Sequence, residues 1–109
     1  MDAPVMYVAR FWVHPDGKKA LFAWLDGGHN AEVVAQPGFV FCKRVQLEQK
    51  NEDGWESHLM IYGLESREAL ENYFNDKPLA EKFARERAPF AQHLHMDRAW
   101  GTVEMSLKH

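Results

Sequence analysis

The sequence predicts one α+β domain spanning residues 1–109, in the order strand, helix, strand, strand, helix, strand. Three observations carry that expectation. Val5–Val13 (VMYVARFWV) is β-branched and aromatic with a single charge, which is strand composition. Two later stretches place apolar residues at helical spacing. Turn-forming clusters at His14-Pro15-Asp16-Gly17, Pro37-Gly38, Asn51–Gly54, Glu65-Ser66 and Pro89 separate the segments.

Each element has its own local reason. Asp16 is the expected N-cap of the first helix. Leu21, Trp24, Leu25, Val33 and Val34 then repeat along one helical face. Gly27-Gly28 interrupts that face, so the helix bends there or stops and restarts; Pro37-Gly38 ends it. Phe39–Leu47 reads as the second strand and Trp55–Leu64 as the third, joined by a polar hairpin loop at Asn51–Gly54. Ser66 caps the second helical region, with Glu68 in its first turn and Leu70, Tyr73 and Phe74 as its stripe. Asp76 caps a continuation that begins at Pro78 and turns Leu79, Phe83 and Phe90 inward. Glu81, Lys82, Arg85, Glu86 and Arg87 are assigned to its solvated face. His95–Leu107 alternates as the last strand.

This order folds in a ferredoxin-like way, as one antiparallel sheet of order 4-1-3-2 with two helices on one face. The helices cover one face only, yet the first strand is apolar on both: Tyr7, Ala9, Phe11 and Val13 on one side, Met6, Val8 and Trp12 on the other. A bare apolar sheet face needs cover, and a second copy of the chain is the simplest. The expected partner is therefore an identical subunit, a homodimer through the sheet face.

Composition narrows the function. Hydrophobic residues make up 46% of the chain, enough to build a core, so disorder is excluded. The net charge is −3 with acids and bases interspersed, and no basic stripe is available for nucleic acid. No apolar run approaches the ~20 residues that cross a bilayer, so no membrane partner is expected. The N-terminal MDAPVMYVAR lacks the features of a secretion signal, and Cys42 is the only cysteine. Both point to the cytoplasm, and Cys42 reads as a small core residue.

The layout resembles the dimeric α+β barrel superfamily, in which two ferredoxin-like sheets face each other. The resemblance covers nearly the whole chain. It rests on Trp24 with His29 in the first helix, Pro37-Gly38-Phe39, Tyr62-Gly63-Leu64, and Ser66-Arg67-Glu68-Ala69-Leu70. The Pro37-Gly38-Phe39 and Ser66–Leu70 pieces also resemble an uncharacterised, domain-of-unknown-function branch that carries a His late in helix 1. The resemblance implies a dimer and a pocket between sheet and helices in each subunit, with His29 lining it. Relatives of that kind include cofactor-free monooxygenases, cyclases, isomerases and haem-degrading enzymes, so it implies fold more closely than function.

The candidate site residues follow. His29 comes after Gly27-Gly28, which permits close backbone approach, and a His in an apolar pocket serves as acid or base. Asn30 beside it offers a hydrogen bond to substrate or loop. Arg10 and Arg98 are charges in otherwise apolar strands, each able to anchor an organic acid or to pair with an acid across the sheet. Tyr62 and Trp24 are core aromatics that would line a cavity. His14, His58, His93 and His95 gather towards one end of the sheet, with Asp97 in step with the last two, but no spacing typical of a zinc site is present and no metal is expected. Phosphate loops and nucleophile elbows are absent, and no organic cofactor is expected.

The favoured reading is an enzyme that acts on a small apolar or aromatic carbonyl or phenolic compound. Its chemistry would be of isomerase, cyclase or cofactor-free monooxygenase type, with His29 as acid–base group. The alternatives are a non-catalytic ligand-binding or interaction module whose aromatics close the cavity, and, third, a haem- or metal-linked protein.

Overall fold

The structure is a computed structural model and describes residues 2–109. β1 (Val5–Val13) buries every second residue: Val5, Tyr7, Ala9, Phe11 and Val13 are buried, whereas Met6, Val8 and Trp12 are half-buried and Arg10 is exposed. The alternation follows from the pleat, which sends successive side chains to opposite faces. β2 (Phe39–Lys50) and β3 (Glu56–Leu64) form a hairpin, and β4 (Leu94–Thr102) pairs with the other edge of β1. All pairings are antiparallel, in the order β2-β3-β1-β4, the ferredoxin-like arrangement expected.

The helices lie on the face that carries Tyr7 and Phe11. α1 (Pro15–Trp24) is capped by His14, whose Nδ1 accepts from the Asp16 backbone N–H at 2.9 Å. The expected cap, Asp16, instead lies in the first turn, because Pro15 fits the first helical position and shifts the start back by one cap. The helix bends rather than stops at the glycines. Leu25–His29 is a kink between two helices, in which Gly28 leaves helical geometry at φ 153°, a value that disfavours a side chain. α2 (Asn30–Val34) continues from it.

α3 (Arg67–Phe74) and α4 (Lys77–Arg87) carry the expected caps: Ser66 Oγ accepts from Ala69 N–H at 3.1 Å, and Asp76 Oδ1 accepts from Leu79 N–H at 3.1 Å. A 3₁₀ turn (Ala88–His93) then leads into β4. Leu64 and Leu70, both fully buried, join the sheet to α3 in a core shared with Val13, Leu21, Val33 and Phe83. Leaving each such side chain in water instead would cost about 2 kcal/mol.

The last strand is shorter than its sequence pattern. It starts at Leu94 and ends at Thr102; residues 103–109 continue without strand pairing, and Met105 and Leu107 are exposed. Alternation alone set the expected end at Leu107, but past the Val5–Thr102 pair only the Val103 N–H still bonds, to the Pro4 carbonyl at 2.8 Å, and Pro4 has no N–H to carry the ladder on. The opposite face of the sheet has no helix over it. Met6, Val8, Trp12, Phe41, Leu59 and Ile61 are only half-buried there, and Val45 and Val103 are exposed. Among the described residues, no helix is long and apolar enough to cross a membrane.

Candidate functional site

Between the sheet and the helices lies a cavity of about 270 Å³, at the lower end of the size range of small-ligand sites. Its floor is Tyr7, Ala9 and Phe11 of β1, Met60 and Tyr62 of β3, and Leu94, Met96 and Arg98 of β4. Trp24, Leu25, His29 and Val33 close one side, and Tyr73, Phe74, Leu79, Phe83 and Arg87 another. The aromatics therefore line the space without filling it.

His29 is placed by the bend. Just past the Gly28 kink, its ring stacks on Trp24, at 4.1 Å between centroids and 24° between planes. Phe83 meets it edge-on at 4.5 Å. Its Nδ1 is buried and has no hydrogen-bond partner within the protein. Burial pulls the His29 pKa down to about 4, against the smaller opposing pull of Glu86 and Glu32. The imidazole is therefore neutral near pH 7 and has a lone pair to offer.

Two guanidinium groups face the same space. Arg87 is half-buried at the end of α4, and Arg98 is exposed on β4 at the cavity rim. Among the described residues neither forms an ion pair with an acid. Burial and then the neighbouring Arg98 hold the Arg87 pKa below the ordinary arginine value, a sign that the charge lacks a counter-ion. Tyr7, Tyr62 and Tyr73 complete the polar set. Burial raises the pKa of all three, that of Tyr73 to about 12, so each keeps its proton and can donate. Tyr62 stacks on Tyr7 at 5.5 Å, and its hydroxyl lies beside the Cys42 thiol. Burial raises the thiol pKa too, which keeps Cys42 unreactive.

Four of the six sequence candidates come together: His29, Trp24, Tyr62 and Arg98 line the cavity. Arg10 and Asn30 do not. Arg10 has the opposite parity to Tyr7 and Phe11, so it emerges on the uncovered face, over Trp12 at 4.6 Å and opposite Asp97 in register. Asn30 turns back along the helix and donates to Asp26 Oδ1 at 3.3 Å, while Arg44 holds the same carboxylate at 2.7 Å. Arg87, assigned to a solvated face, instead joins the site. Its spacing was the signal: Leu79, Phe83 and Arg87 fall at successive i, i+4 steps, one face of α4.

The histidine group divides. His58 is buried against Phe11 at 5.1 Å, and its Nε2–H donates to the Glu56 carboxylate at 3.2 Å. His95 stacks on Trp55 at 4.8 Å. Its register opposite Trp12 puts it, like Asp97, on the uncovered face. Only His14 and His93 come close, with ring centroids 5.1 Å apart.

Burial lowers the pKa of both His29 and His58 from 6.5. The unfolded chain therefore binds more protons than the folded one below about pH 6.5. Stability is full above that pH and is lost as pH falls towards 4. Thermal melts of His29→Gln should show a shallower decline of Tm between pH 6.5 and 4.5 than the parent protein, with His58 supplying the slope that remains. An unchanged slope would mean that His29 is not held neutral by burial.

No family model matches the chain, and no curated protein matches it by sequence. Solved structures do match. A monooxygenase from the gene ActVA-Orf6 of Streptomyces coelicolor, solved in complex with nanaomycin D, superposes with TM-score 0.72 over 98% of this chain and 93% of that one, at 15% identity. SnoaB, a cofactor-independent oxygenase from Streptomyces nogalater, gives TM-score 0.66 over 99% and 100%, at 21% identity. The haem degrader MhuD from Mycobacterium tuberculosis, with two haems bound in its active site, gives 0.65 over 96% and 100%, at 20% identity. The chain shares its ferredoxin-like α+β fold with these proteins. At these identities the likeness speaks to fold, and the chemistry has to be argued from the cavity.

Proposed function

We propose that the chain is a small-molecule enzyme of cofactor-free oxygenase type, acting on an aromatic phenol or enolisable carbonyl compound that becomes an anion in the site. The observation that carries this reading is the composition of the cavity. An apolar, aromatic-lined space is bordered by a neutral imidazole, that of His29, and by two guanidinium groups without counter-ions.

In this reading the neutral imidazole of His29 accepts the phenolic or enolic proton. The base is weak in the empty cavity, but an anion formed beside the imidazolium raises its pKa and so draws the proton across. Arg87 and Arg98 hold the anion, and the protonated tyrosines donate to a neighbouring carbonyl oxygen. Dioxygen, as co-reactant, would then meet an electron-rich ring or enolate in a space with little water. The wider likeness to oxygenases of this fold supports that choice over isomerisation or cyclisation, which the same base would also serve. The subunits are proposed to pair through the uncovered sheet face, where apolar residues stand half-exposed.

Substitution of His29 tests the role of the base. His29→Gln keeps much of the ring's volume beside Trp24 and Phe83 and removes the titratable nitrogen. With dioxygen and a dihydroxynaphthalene as probe, turnover should fall about a hundredfold or more, within the usual contribution of acid–base catalysis, while Tm at pH 7.5 stays within a few degrees. Turnover equal to that of the parent would remove His29 from the chemistry. Ligand affinity with no turnover in either protein would instead favour a binding module.

A further inference from the structure

We propose that His14, Asp16 and His93 form a binding site for one divalent transition-metal ion, Zn²⁺ being the probe of choice, at the corner where β1 enters α1. One ligating atom from each of the three residues lies within 4.8 Å of the others. Two imidazoles and a carboxylate are a donor set suited to such ions, and they leave a fourth tetrahedral position for water.

The arrangement is held by the backbone as well as by proximity of the rings. The His14 N–H donates to the His93 carbonyl at 2.9 Å, tying the end of β1 to the 3₁₀ turn. Gly17 sits against His93, and a Cβ there would collide with the His93 side chain. The glycine therefore admits His93 to a position beside His14 that a larger residue would deny it. The cap bond from Asp16 N–H to His14 Nδ1 fixes the imidazole tautomer. That bond leaves the proton of the neutral ring on Nε2, so a metal would take the Nδ1 lone pair in place of the cap bond, at a nitrogen 3.8 Å from the Asp16 Oδ2. Trp55 stands edge-on to His14 at 5.3 Å and restricts the ring further. The positive end of α1 opposes a cation, but by a few-fold in affinity, and the Asp16 carboxylate in the first turn counters it.

The site is separate from the cavity and does not depend on the reaction proposed for it. It does bear on the cavity's frame. The 3₁₀ turn that carries His93 joins Arg87 of α4 to the strand that carries Arg98, so an ion here would pin the connection between the two guanidinium groups to the β1–α1 corner.

Calorimetric titration of chelator-treated full-length protein with Zn²⁺ tests the site. The parent protein should bind one ion per chain and gain in Tm with the metal. His93→Ala and Asp16→Asn should each bind about tenfold or more weakly and lose the metal-dependent gain in Tm; neither disturbs the cap bond of His14. His93→Gln serves if the alanine variant is unstable. Equal Zn²⁺ affinity in parent and His93→Ala would assign the binding to other histidines and overturn the proposal, as would a parent protein that shows neither heat nor a change in Tm.

Discussion

Arg87→Ala is expected to weaken binding of an anionic aromatic ligand by about tenfold to a hundredfold, the loss of a charge-assisted hydrogen bond, and to leave the protein as stable as before or more so. The two halves of this expectation have one cause. Arg87 is half-buried, sits beside Arg98, and among the described residues has no acidic partner. A charge held that way is unfavourable in the empty protein and favourable once an anion arrives. Its removal therefore relieves the free protein and penalises the complex. Such opposition between stability and binding is what separates a ligand-binding arginine from a structural one. Arg98→Ala should act in the same direction but less strongly, because its exposed position lets water screen the charge. Calorimetry with a hydroxynaphthoate, together with Tm, reads both halves. A clear fall in Tm with unchanged affinity would make Arg87 a structural residue and leave the cavity without its proposed anion site.

Val8→Asp is expected to convert a dimer into a folded monomer. Val8 is the central open-face residue of β1, between Ile61 of β3 and Ala99 of β4 in register. With Met6, Trp12, Phe41 and Leu59 nearby on the same face, it belongs to an apolar surface that no helix of the chain covers. A carboxylate at the centre of a two-fold seam would meet its own symmetry mate in a desolvated setting, so it acts twice per interface. In the monomer the same side chain remains partly in water, and the fold should survive. Light scattering should give twice the 12.7 kDa chain mass for the parent protein and the chain mass itself for the variant. A parent protein that runs as a monomer at micromolar concentration, or a variant that stays dimeric, would show that the sheet face is not the seam.

Much of the fold is legible in local sequence because its determinants are local. The alternation of β1, the Ser66 and Asp76 caps, and the Gly28 bend each depend on a few neighbouring residues. The end of β4 is not local. Its alternating pattern runs on to Leu107, and the strand stops where β1 ceases to offer a partner. The cap of α1 was ambiguous for a different reason: His14 and Asp16 both have side-chain acceptors, and Pro15 decides between them by fitting the first helical turn.

The site divides along the same line. Arg98 shares parity with Met96, so its place in the cavity follows from the pleat, and parity equally sends Arg10 to the other face. Arg87 was readable from its i, i+4 spacing to Phe83, but the run of charges around it in α4 has the look of a solvated face. What brings His14 to His93 is a backbone hydrogen bond between segments nearly 80 residues apart, and no local pattern announces it.

The central claim is that the cavity under the helices is where an aromatic anion binds. Methionine-methyl NMR reads this directly, since Met60 and Met96 line the cavity, Met6 lies on the uncovered sheet face, and Met105 is exposed in the C-terminal segment. Titration with 1-hydroxy-2-naphthoate should move the Met60 and Met96 signals along a saturating curve and leave Met6 and Met105 in place, with the shifts much reduced in Arg87→Ala. Shifts confined to Met6, or none at Met60 and Met96 at saturating ligand, would contradict the claim.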